Sequence, residues 1–329
     1  ACVGLLLGLN LLSVKLFGEL EFWFALIKVL AIVALIITGF GMIAWGFHSP
    51  SGQLASLRNL WNDGGLFPRG ISGFFAGFQI AVFAFVGIEL VGTTAAETES
   101  PERNLPRAIN AIPARIILFY VLALIVIMSV TPWRQVVPGK SPFVELFVLA
   151  GIPAAASLIN FVVLTSATSS ANSGIFSTSR MMFGLASEGH APKSFKRLSA
   201  AAVPARGLLF SCVCLLAGAL LMYLIPDLIT TFTLVTTLAA VLFMFIWSLI
   251  LCAYIAYRIK RPELHACSAY KMPGGVAMCV VALGFFVFVT RLLALEDGTR
   301  KALLASPGWF AWLGLGYGWR RWRGKAGLH

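Results

Sequence analysis

Two ionisable residues stand clearly inside apolar runs of this chain, short of the ends where other charges gather. Lys28 lies in "IKVLAIVALIITG" and Glu89 in "FAFVGIELVG". An ionisable group at bilayer depth costs about 2.5–3.5 kcal/mol on insertion scales, and it ordinarily faces protein or water rather than lipid. Each residue therefore admits two readings. Lys28 is near one end of its run, so its stem can carry the charge out to the interface. Alternatively it is an enclosed amine that gains and loses a proton during a cycle. Glu89 is either a structural carboxylate capping free backbone N–H groups or a functional one, and both readings put it inside the protein.

Gly87 adds a second kind of chemistry. It sits between the β-branched Val86 and Ile88, with Phe83 and Phe85 close by. A helix can unwind at depth only where protein or a water-filled cavity satisfies the freed N–H and C=O groups. Freed carbonyls accept from a substrate ammonium, and half-helix N-termini meet a carboxylate. An α-amino acid carries both groups. Further along, "SLINFVVLTSATSSANSGIFSTSRMMFGLA" is rich in small hydroxyl residues. These let helices approach closely and hydrogen-bond to one another, and their density also suits a helix lining a polar cavity. Ser166, Ser169, Ser170 and Ser173 share one face by helical spacing. Thr230, Thr231, Thr233, Thr236 and Thr237 form a lesser version, for which capping of a helix start is the rival explanation.

The elements that hold these groups follow from composition. The chain has 329 residues, 59% hydrophobic and 12% charged, where a soluble domain carries about 25% charged. Lipid is the expected solvent. The opening "ACVGLLLGLNLLS" is shorter than the roughly 20 residues a spanning helix needs. It also lacks the features of a signal peptide, so it reads as the tail of a span and the chain as a fragment. Further runs of spanning length occupy about 21–46, 71–96, 108–131, 154–184, 207–225, 229–257, 275–293 and 302–319. The net charge of +12 does not imply a nucleic-acid partner, because basic residues collect in the cytoplasmic loops of membrane proteins. Most lie in one set of loops and in the tail, including Arg103, Arg107, Lys193, Lys196, Arg197, Arg206 and Arg258 to Arg261. That face is expected to be cytoplasmic, with the C-terminus inside. The six cysteines form no CxxC pair and read as small core residues, with no metal site or other cofactor. All four histidines fall outside the runs. A membrane-embedded enzyme would need catalytic groups that the spans do not carry.

The stretches "GELEFWFALIKVLAIVALIITG", "FAFVGIELVGTTAAETESPERNLPRAI" and "SSANSGIFSTSRMMFGLASEGHAPKSF" carry a family likeness. Through them the chain resembles the amino acid–polyamine–organocation transporters, and among these the bacterial amino acid permeases. The resemblance covers essentially the whole chain. It implies an all-α polytopic membrane protein with inverted five-helix repeats, here without the first three helices. Residues 1–46 would end the first repeat, 71–257 would form the second, and 275–319 the last two helices.

The resemblance further implies a multi-pass protein of the cytoplasmic (inner) membrane that imports small neutral amino acids, namely glycine, D-alanine and D-serine, by proton symport. Phe83 matches the family's aromatic lid over the substrate. Ala84, Val86 and Gly87 match the unwound segment whose carbonyls hold the substrate ammonium. Ser169, Ser170 and Ser173 are candidate cavity residues. Lys28 matches a lysine that takes the place of a sodium ion in proton-coupled relatives, and Glu89 an acidic position linked to proton response. An exchanger, a permease for a larger amino acid, and a non-transporting amino-acid sensor are the alternatives.

Overall fold

A computed structural model describes residues 2–12, 14–93, 98–137, 139–225, 227–268 and 270–326. Glu97 and His329, both weighed in the sequence, lie outside these residues. The described chain is helical: α1 Cys2–Leu12, α2 Val14–Ala44, α3 Gly70–Ala76, α4 Phe78–Ala84, α5 Leu90–Thr93, α6 Pro101–Ile116, α7 Leu122–Val130, α8 Pro142–Leu149, α9 Pro153–Ser187, α10 Ala205–Leu224, α11 Leu228–Lys260, α12 Pro262–Cys267, α13 Gly275–Leu295 and α14 Asp297–Ala326. A π-helical turn, Ile117–Val121, joins α6 to α7.

Among the described residues, five segments are both long and apolar enough to cross a membrane: Gly18–Ala44, Pro101–Val130, Ala205–Leu224, Ile229–Lys260 and Gly275–Leu295. The surface they expose is itself apolar. Phe22, Trp23 and Ile37 along α2 are each about 60% exposed or more, an arrangement suited to lipid and not to water. Of the cysteines, Cys212 and Cys279 are buried, whereas Cys2, Cys214, Cys252 and Cys267 are exposed. The core reading of the sequence therefore fails for those four, because small thiols are tolerated on an apolar exterior.

One expected span departs from a single helix. The 71–96 run is divided into α3, α4 and α5, with turns over Phe85–Glu89. Packing divides the chain at this same place. One compact unit holds Ala1–Pro68 and Leu90–Leu220, and the other holds Arg69–Glu89 and Leu221–His329. This division by packing differs from the division into repeats read from sequence.

In the first unit, Leu35 and Ile36 of α2 pack with Val126 and Val130 of α7, Leu146 and Phe147 of α8, and Ile159 of α9. Gly39 permits the closeness of α2 and α7: a Cβ there would collide with Val126 Cγ1. A second cluster joins Leu6 of α1, Ile175 of α9, and Leu208 and Cys212 of α10. The loop after α2 is tied down by Asn59, whose amide donates to Ser129 O at 2.7 Å and Leu54 O at 2.9 Å.

In the second unit, Val82 of α4 packs with Ala240 and Met244 of α11 and with Val289 and Leu293 of α13. α11 begins at the N-cap Asp227, whose carboxylate accepts from Ile229 N at 3.2 Å and from the Thr230 hydroxyl. Capping thus accounts for Thr230. Thr236 instead ties two helices together, its Oγ1 accepting from Gln79 Nε2 of α4 at 3.0 Å.

Candidate functional site

The break after α4 is a matter of backbone conformation. Gly87 has φ +106, and an added Cβ would meet no atom within 4 Å. Space is available, but L side chains rarely adopt this backbone, so glycine is the residue that fits. Around it the bonding tightens to three-residue turns: Val86 N–H donates to Phe83 O at 3.0 Å and Ile88 N–H to Phe85 O at 3.3 Å. Gly87 N–H turns instead to a side chain. It donates to the Glu89 carboxylate, 3.1 Å from Oε1 and 3.2 Å from Oε2. Trp247 Nε1 of α11 donates to the same carboxylate, 3.1 Å from Oε2.

Glu89 therefore replaces the carbonyl that a continuous helix would have offered. The structural reading of its carboxylate is the one this geometry expresses. Together with the Gln79–Thr236 bond, the Trp247 bond fixes α4 to α11 at two polar points. Phe83 is half-buried and packs against the Val82, Ala240 and Met244 cluster. Its carbonyl is occupied by Val86. Val86 and Gly87 are half-buried, and Ala84 is exposed.

The second polar assembly belongs to the other unit and joins α1, α2 and α9. Lys28 Nζ donates to Ser169 Oγ at 2.8 Å, and Ser169 Oγ donates to Glu21 Oε2 at 2.7 Å. Asn172 Nδ2 donates to Glu21 Oε1 at 2.9 Å. Asn10 Nδ2 donates to Asn172 Oδ1 at 2.5 Å and to Leu6 O at 2.9 Å. Ser169, Asn172 and Asn10 are each at most 5% exposed. The amide nitrogen of Asn10 faces two acceptors, which fixes its orientation. Its Oδ1 is then left buried with no hydrogen-bond partner among the described residues.

Of the three serines singled out on α9, Ser169 alone meets Lys28. Ser170 is exposed, and its hydroxyl donates back to Ser166 O at 3.1 Å. Ser173 is half-buried. The buried stripe runs through Ser169, Asn172, Phe176 and Ser179, which is a neighbouring face to the one the serine spacing suggested. Sequence reasoning missed Glu21, Asn172 and Asn10 as site residues. A signal existed for two of them. Glu21 and Lys28 are seven residues apart, close to two turns, and Asn172 follows Ser169 at i+3. Glu21 escaped notice because the apolar run begins at that residue. In the structure α2 starts at Val14 and carries Glu21 inside the helix.

Residues 1–319 match the amino acid permease family. The chain belongs to the amino acid permease family. This permease is a multi-pass membrane transport protein and not an enzyme. It is 68% identical over 317 residues to the D-serine/D-alanine/glycine transporter of Escherichia coli strain K12, a match covering 96% of this chain and 67% of that protein. The amino-acid permease AapA of Bacillus subtilis is 52% identical, over 94% of this chain and 66% of its own length. The probable threonine/serine transporter YbxG of the same organism is 40% identical, over 90% of this chain and 63% of its own length.

Proposed function

We propose that this permease imports small neutral amino acids, chiefly D-serine, D-alanine and glycine, together with a proton across the bacterial inner membrane, with its C-terminus in the cytoplasm. The 68% identity to a transporter of that name carries the choice of substrate. The geometry supports the mechanism in two places. The backbone over Phe85–Glu89 departs from helix at a left-handed glycine, as a segment that offers main-chain groups to a zwitterion must. Lys28 is half-buried and its ammonium donates to the buried hydroxyl of Ser169, a contact that supports the enclosed-amine reading.

In the cycle, a proton is loaded from outside and the amino acid enters with its ammonium toward the carbonyls of Ala84, Val86 and Gly87. Phe83 closes over it, and the protein opens inward. The ammonium of Lys28 supplies the positive charge that a sodium ion gives elsewhere. Protonation of Glu89 weakens its hold on Gly87 N–H and Trp247, which loosens the break.

A permease for a larger amino acid is the second reading, favoured by the 40% identity to a probable threonine/serine transporter. Uptake of labelled D-alanine and glycine, measured with and without a protonophore in cells expressing the full-length gene product, tests the proposal. The expected result is accumulation that collapses with the protonophore and is competed by unlabelled D-serine. Accumulation that survives the protonophore removes proton symport. Competition by threonine but not by D-serine moves the substrate to the second reading.

A further inference from the structure

We infer that Glu21 is the counter-carboxylate of Lys28, acting through Ser169, and that it sets the pH range in which this permease loads its proton. The inference rests on the proposed coupling role of Lys28 and adds a residue to it.

The direction of every hydrogen bond in the assembly follows from the charge on Glu21. A carboxylate can only accept. The single proton of Ser169 is therefore committed to Glu21 Oε2, which leaves the oxygen lone pairs for the Lys28 ammonium at 2.8 Å. The amide nitrogen of Asn172 is likewise committed to Glu21 Oε1, and its oxygen is turned to Asn10. A neutral Glu21 would present an O–H to one of these donors, and the chain from Asn10 to Lys28 would have to reverse in part. Such linked bonds rise and fall together.

The network also balances charge. An ammonium and a carboxylate on one apolar helix are each costly alone, and each offsets part of the other's cost where a hydroxyl links them. Among the described residues, other ionisable groups are few around this pair. Of the helices packed against α2, α7 carries none, α1 carries Cys2, and α9 carries Arg180, eleven residues beyond Ser169 and lying over the Phe176 ring. α8 carries Glu145, paired with Lys140 at 3.7 Å. On α2 itself the other charged residues are Lys15 and Glu19, and Glu19 lies outside the run of bonds from Asn10 to Lys28. Among the described residues, Glu21 is therefore the carboxylate that answers Lys28.

The test uses the full-length gene product, with initial uptake of labelled D-alanine followed across external pH. Removing the negative charge makes proton loading harder, so Glu21→Gln should move the half-maximal pH toward acid by about one unit or more. Ser169→Ala breaks the bridge and leaves both charges in place. It should move the curve in the same direction, and the double variant should add little. Ser169→Thr keeps a hydroxyl and should move the half-maximal pH less than Ser169→Ala does, whatever it does to the maximal rate.

A uniform fall in uptake with an unmoved curve in Glu21→Gln overturns the inference, since that is what a structural role alone produces. If Glu21→Gln does not reach the membrane, Ser169→Ala decides, and an unmoved curve there overturns it equally. Lys28→Ala separates the two claims. Should it still accumulate substrate, the coupling role of Lys28 fails and takes this inference with it. Should it lose accumulation while Glu21→Gln behaves as wild type, the present inference alone is wrong.

Discussion

Lys28 and Glu89 are both ionisable groups in apolar helices, and the structure treats them differently. Glu89 is held by its own neighbourhood: an N–H two residues back along the chain and one indole from α11. Lys28 is held by a hydroxyl from another helix, in a run of hydroxyl, carboxylate and amides that ends at Asn10. A carboxylate that satisfies an orphaned backbone donor is part of how the chain bends. An ammonium that meets a carboxylate through a hydroxyl joins two helices by side chains alone. In the first region the carboxylate bonds to the backbone, and in the second the bonds run from side chain to side chain.

The predictions press on that difference. Lys28→Ala should abolish proton-driven accumulation while leaving some exchange, at least a tenfold loss by the ~1.4 kcal/mol-per-decade scale. Unimpaired accumulation in energised cells would remove Lys28 from coupling. Next in size, Glu89→Ala should strand the Gly87 N–H and the Trp247 indole. Each unsatisfied group costs about 1–3 kcal/mol, readable as a lower melting temperature in detergent. Glu89→Gln keeps an acceptor, so it should melt closer to wild type but alter the pH dependence of uptake. An unchanged pH profile would reduce Glu89 to a cap alone.

Gly87→Ala forces an L side chain onto positive φ and should cost about 1–2 kcal/mol with reduced uptake; wild-type stability would mean that the break relaxes. Trp247→Phe, which keeps a ring against Phe243 and Phe286 and removes the donor, should cost about 1 kcal/mol and shift the melting curve modestly.

The smallest effect lies at the start of α11. The hydrogen bond from Thr230, aided by the N–H groups of Ile229 and Thr230 and opposed by desolvation, lowers the Asp227 carboxyl below its usual range. Because the folded value is depressed, its contribution is present above the unfolded carboxylate range and fades as pH falls through the folded one. Asp227→Asn should flatten a slight acid-side loss of thermal stability, and an identical acid response in both proteins would exclude it.

Hydropathy alone was enough to read most of the helices, and Gly87 marked the interruption in the 71–96 run because an L residue there would be strained. The partners were harder to read. Nothing local tells that Ser169 faces Lys28 while Ser170 bonds its own helix, since the two are adjacent and chemically identical. The choice is made by the helices packed around α9. Glu21 was hidden for a related reason: an apolar run defines a span by where charges stop, whereas α2 continues through them. Trp247 had no signal in its own sequence context, because a tryptophan in an apolar helix looks like packing until its indole N–H is seen to have an acceptor.

The π-helical turn at Ile117–Val121 has a consequence for engineering. One surplus residue in a helix rotates everything beyond it by about 100°. Ser129, downstream of that turn, is fully buried, and its carbonyl receives both Ser56 N–H and the Asn59 amide. Deleting a single residue from that turn would straighten the rod yet swing its far end around, leaving the periphery of the protein without its mooring.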